Sequence, residues 1–165
     1  MSEKEGWVAD TKGLQEKAYI YQTIGSGLAS LWIQKKLSIA NVQGADMFVK
    51  ALPEAIGLQF VKTIFGQEAV QLLTKKKMDK YGKDRNNEPN TEPSLLYADD
   101  TDYLEVNKGA VSLYKVGEEI GWALFYEELQ TFASKQEKPS RFIDFFTLLK
   151  KHLDKETIKQ FEEVK

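Results

Sequence analysis

Apolar residues recur three and four positions apart along nearly the whole chain, and no convincing pair of strands interrupts the pattern. That period predicts an all-α fold of six to seven helices in a single domain spanning residues 1–165. Gly6-Trp7-Val8-Ala9-Asp10 reads as a short extended entry. From 15 to 36, Ala18, Tyr21, Leu28, Trp32 and Leu37 recur around most of the helix circumference, which predicts a central, buried helix. A second helix starts near Ala45, carries Pro53 inside it and stops at Gly66; the proline predicts a kink. A third runs from 67 to 81, with Gly82 suited to its C-terminal cap.

Residues 83–101 hold Asn86-Asn87, Pro89, Asn90 and Pro93 and read as a long internal loop. Thr101 or Asp102 can cap a fourth helix through Glu119, and Gly121 breaks it. A fifth spans Trp122 to about Lys135. Pro139-Ser140 starts a sixth, rich in phenylalanine, and Asp154 caps a short last helix.

With 165 residues, the chain can bury about 70% of the surface its unfolded form exposes, enough for a core without staples. It has no cysteine, which excludes disulfides, thiolate metal sites and a cysteine nucleophile. The 23 basic and 25 acidic residues interleave, so no basic stripe of the kind nucleic acid requires is visible. Lys75-Lys76-Lys77 reads as a solvated helix end. The N-terminus is polar and lacks the apolar core of a signal peptide. The uncharged stretch 18–34 is too short and too polar to span a bilayer, so direct membrane insertion is not expected.

Catalytic chemistry has few carriers. The single histidine, His152, follows Lys150 and Lys151 near a helix C-terminus, where a cation is favoured for ordinary structural reasons. No G-x-S-x-G elbow precedes a helix, and Gly25-Ser26-Gly27 is only superficially similar. Asp99, Asp100, Asp102 and Glu105 could hold a hard cation, but they lack an EF-hand pattern and read more simply as loop and first-turn acids.

Two stretches carry a resemblance. One comprises Gly6-Trp7-Val8-Ala9-Asp10, Tyr19-Ile20-Tyr21, Ala29-Ser30-Leu31-Trp32 and Ala40-Asn41-Val42-Gln43-Gly44-Ala45-Asp46-Met47. The other is Tyr103-Leu104-Glu105-Val106-Asn107-Lys108-Gly109-Ala110-Val111, with Tyr114 and Glu119-Ile120-Gly121. Asp79, Tyr81, Arg85, Glu92-Pro93 and Leu95 lie between them. Together they resemble the helical lobe of the aminopeptidase N-type (gluzincin) zinc peptidases, in the branch fused to transporter permeases. The resemblance implies a place in a longer protein, with a membrane-anchored parent as the expectation. It also implies either the family's sheet-bearing lobe as a partner, of which nothing here matches the Gly-Ala-Met-Glu-Asn motif, or self-association of an apolar face near the first helix.

That family binds zinc through H-E-x-x-H and a later glutamate, with the first glutamate activating water. In register, this chain has Ser26 and Ser30 for the histidines, Gly27 for the base, and Val49 or Lys50 for the third ligand. Val106 stands where the family has its oxyanion tyrosine. Hydroxyls, an alkyl group and a lysine are poor company for zinc. The resemblance therefore implies no zinc and no other cofactor, and a non-catalytic domain with a structural or peptide-binding role. Ser26, Gly27, Ser30, Val49, Lys50, Glu54 and Val106 are the positions of a degenerate cleft, with Lys50 expected to pair with Glu54 one turn on. The alternative reading is a divergent zinc aminopeptidase fragment; a third is a helical interaction module without a cleft.

Overall fold

A computed structural model describes residues 3–88, 91–135 and 139–164, with backbone alone over 3–12. It is all-helical. The order is α1 (Glu3–Lys36), a π-helical turn (Met47–Ala51), α2 (Leu52–Phe65), α3 (Gln67–Asn86), a 3-10 turn (Leu95–Tyr97) and a second π-helical turn (Leu104–Gly109). Then come α4 (Ala110–Ile120), α5 (Trp122–Ser134), α6 (Phe142–Leu149), a 3-10 turn (Lys150–His152) and α7 (Lys155–Glu162). Among the described residues the sole extended pairing is an isolated bridge between Ile39 and Ser140.

Several helix ends follow local chemistry. Gly66 and Gly121 adopt φ of 81° and 86°, a region that favours glycine, and each separates two helices. Asp154 caps α7 by accepting the Thr157 N–H at 2.7 Å. Pro53 has no N–H to donate and its ring crowds the preceding turn. It lies at the start of α2, and the turn before it widens to π geometry, in which the Leu52 N–H reaches the Met47 carbonyl. The expected kink is thus a widened turn followed by a regular helix.

Three expectations are corrected. The extended entry at Gly6–Asp10 is helical, because α1 starts at Glu3. α3 runs through Gly82 to Asn86, so the first part of the loop expected at 83–101 is helical, and a 3-10 turn occupies Leu95–Tyr97; Pro89 and Asn90 lie outside the described residues. A mid-helix glycine costs only about 1 kcal/mol. Tyr81 and Arg85 offset that cost, since both bind Glu92.

α1 is also not a central helix buried all round. Its buried residues form a narrow stripe, Ala18, Gln22, Gly25, Ser26, Ala29 and Ile33, and α1 packs chiefly against α2. Most of that stripe is small, so the two backbones approach closely. A Cβ on Gly57 of α2 would lie 2.7 Å from the Gln22 carbonyl oxygen and hard against Ser26 Oγ.

Phenylalanines cluster at the C-terminal end of a core that is otherwise largely aliphatic. Phe48, from the first π turn, meets Phe142 edge-on at 5.4 Å and Phe145 at 5.9 Å. Phe146 stacks on Phe161 at 4.6 Å, which ties α7 to α6. Such pairs contribute about 0.5–1.5 kcal/mol each beyond their buried area. They hold the C-terminal helices against the turn that precedes α2.

Candidate functional site

The residues in the peptidase register lie on α1, the first π turn, the first turn of α2 and the second π turn. Ser26 is buried where α1 crosses α2, and its Oγ has no hydrogen-bond partner among the described residues. Ser30, one turn on, accepts the Gln34 amide at 3.0 Å. Gly27 faces solvent, with nothing within 4 Å of a Cβ built on it. Val49 is exposed.

Lys50 does not pair with Glu54. Its Nζ lies 2.6 Å from Asp46 Oδ2 and 2.8 Å from Asp102 Oδ1. The bond to Asp102, then that to Asp46, holds the ammonium well above the usual lysine range. Asp46 also accepts the Asp100 N–H at 3.0 Å, so one residue ties the lysine to the loop after the 3-10 turn. Glu54 takes other partners. Its Oε2 accepts from Gln22 Nε2 and from Lys77 Nζ, each at 2.7 Å. Lys77 also donates to the Val106 carbonyl at 3.0 Å. Lys77 therefore joins Glu54 to Val106, while Lys50 and Ser26 belong to other contacts.

This donor set does not fit zinc. One serine oxygen is turned into a helix crossing, the other is bonded to an amide, and the third position offers an alkyl group or a committed ammonium. Among the described residues, no three His, Cys, Asp or Glu side chains are disposed to share a metal ion. The acids at 99–105 do not converge either: Asp102 pairs with Lys50, while Glu105 points inward.

Glu105 is a first-turn acid, as its position implies, but it is not at the surface. It is fully buried, its Oε1 accepts the Thr101 N–H at 3.2 Å, and its Oε2 has no partner among the described residues. Burial, and then the Asp46 carboxylate, push its pKa up to about 7 against the two backbone N–H bonds and Lys50. The folded chain thus holds this proton up to about pH 7, whereas the unfolded chain releases it near 4.5. The stability it contributes is complete below pH 4.5 and is lost as pH rises through 7, a difference of about 3 kcal/mol. Glu105→Gln is expected to abolish that decline. Urea midpoints of the variant and parent at pH 5 and pH 8 check it, and a parent whose stability rises over this interval contradicts it.

A second carboxylate, Glu92, is buried and anchors the structure, a role that the Glu92-Pro93 pair in the sequence does not signal. Glu92 accepts from Lys108 Nζ and, at 2.7 Å, from Tyr81 Oη; Arg85 Nε lies 3.4 Å away. Its three partners bind the segment after α3 to α3 itself and to the second π turn.

Two grooves flank α1, and none of the seven register positions lines either. One, about 390 Å³, lies between α1, α2 and α5 and is floored by Leu28, Trp32, Phe60 and Leu129. The other, wider and about 1010 Å³, lies between α1 and α3. Between them α1 exposes Ile20, Ile24, Leu28 and Leu31, each at least half accessible. Their spacing of four, four and three was a signal for this face in the sequence.

Family models, curated proteins and solved structures give no match to this chain. Among the described residues, no helix is long and apolar enough to cross a membrane.

Proposed function

We propose that this chain is a non-catalytic, peptidase-like helical domain, a structural or protein-binding part of a larger protein. The reading takes its family from the resemblance of the two sequence stretches. Its lack of catalysis rests on one observation above all: Ser26 Oγ, at the position of the first zinc ligand, is packed against Gly57. A side chain so placed cannot present a donor to an ion on an open face. The exposed apolar row on α1, with a groove on either side, supports the binding role.

Metal analysis and hydrolysis of aminoacyl amides test the proposal together. Purified protein is expected to retain far less than one zinc per chain after dialysis against micromolar zinc. It is also expected to release no amine above the rate of a heat-denatured control. Hydrolysis that a chelator abolishes and zinc restores would overturn it in favour of a divergent aminopeptidase.

A further inference from the structure

The outer face of α1 is chemically graded along its length. Toward its N-terminal half, the groove shared with α3 is lined by Lys75, Lys76, Lys80 and Lys83, against only Glu16 and Asp79 among its charged residues. Lys76 lies over the Tyr19 ring, 5.2 Å from its centre. The whole chain carries a net charge of −2, so this excess of lysine is local. Toward the C-terminal half, the groove shared with α2 and α5 has no charged residue in its lining. Ile20, Ile24, Leu28 and Leu31 run between the two, with Ile20 lining the first groove and Leu28 the second. From Glu16 to Trp32 the track is roughly 24 Å long at the rise of an α-helix, or between four and five turns.

We propose that this track is the docking site of an amphipathic helical segment of another protein, acidic at one end and apolar at the other. The inference rests on the binding role proposed above and names the partner's chemistry. Apolar side chains at every third or fourth position would lie on the α1 row and enter the groove at Leu28 and Trp32, as helices bind in grooves. Carboxylates at the other end would face the lysines of α3, where opposite charge steers encounter and fixes direction.

Charge also argues against a second copy of this chain as the occupant. A two-fold pairing sets each surface on itself. With the helices parallel, the lysines face each other; with them antiparallel, they face the uncharged groove, which desolvates them without a partner. A lipid surface is also a poor fit, because a flat bilayer would leave the grooves beside α1 unfilled.

The test uses two synthetic peptides of about sixteen residues, the length of the track. Both carry leucines at helical spacing; one has glutamates in its first turns and the other has lysines there. By fluorescence anisotropy the acidic peptide is expected to bind at least tenfold more tightly. Lys76→Glu/Lys80→Glu is expected to abolish that preference, and Ile24→Asp to weaken both peptides more than tenfold, while circular dichroism stays that of the parent. Equal affinity for the two peptides overturns the proposal, as does no binding of either. Binding to phosphatidylserine vesicles without peptide binding overturns it in favour of a membrane surface, and a concentration-dependent dimer that Ile24→Asp dissolves does so in favour of self-association. If the peptide fails to bind and no hydrolysis is found, the docking inference falls and the non-catalytic reading stands. Chelator-sensitive hydrolysis with acidic-peptide binding gives the reverse.

Discussion

Glu92→Ala is expected to lower stability by about 3–5 kcal/mol, as measured by urea denaturation at pH 7. The side chain is fully buried. Its removal leaves Lys108, itself mostly buried, without its counter-ion and takes an acceptor from Tyr81 and Arg85. The penalty comes from the stranded cation more than from the lost attraction, since a buried pair gains little over apolar packing while a broken one costs its full desolvation. Natural domains are stable by only about 5–15 kcal/mol, so the loss is a large share. The more exposed pair of Lys62 with Glu118 gives the contrast. Lys62→Ala is expected to change stability by less than about 1 kcal/mol, because solvent screens such pairs. Equal effects from the two substitutions would mean that Glu92 is not buried among cations as described.

Gly57→Leu is expected to be comparably damaging, for a steric reason. Its Cβ would meet the backbone oxygen of Gln22 at 2.7 Å, and backbone in the middle of a helix cannot step aside as a flexible side chain can. α1 and α2 would have to separate, which would open the packing of Ala18, Ala29 and Ile33. Overpacking of this kind costs about 3 kcal/mol. At this chain length that lowers the melting temperature by roughly 6–12 °C. Gly27, in the next turn of α1, gives the opposite sign. It has open space around it and helical backbone, so Gly27→Ala is expected to raise stability by up to about 1 kcal/mol. A glycine beside a functioning metal site would not be so free to change.

The features legible in the sequence were those set by neighbours along the chain. Gly66 and Gly121 stop helices because of their own backbone freedom, and Asp154 caps α7 through a residue three positions away. The phenylalanines of α6 pack as their spacing implied. Errors arose where a distant partner decides. Lys50 was assigned to Glu54 by helical spacing, yet it pairs with Asp102, fifty-two positions away, as well as with Asp46. α3 passes Gly82, and Glu92 binds Tyr81 and Arg85 on either side of that glycine. Glu105 looks like a surface acid until Thr101 and the π turn enclose it.

For α1, the sequence carried the apolar residues but not their division between a packed stripe and an open one. Gly25 and Ser26 face Gly57 and let the two helices cross closely, while Ile20, Ile24, Leu28 and Leu31 stay outside. The register of the proposed peptidase resemblance is readable residue by residue. That its positions lie outside both grooves beside α1 required the fold.

The absence of cysteine makes the orientation of α1 directly measurable, since any thiol introduced by substitution is the only one present. Ser26→Cys and Leu28→Cys, labelled separately with a thiol-reactive reagent under native conditions, should differ in rate by more than about a hundredfold. Leu28 stands in solvent, and reaction at position 26 must wait for the helix pair to open. Comparable rates at the two positions would mean that Ser26 faces an open site and not the α2 packing, contrary to this account.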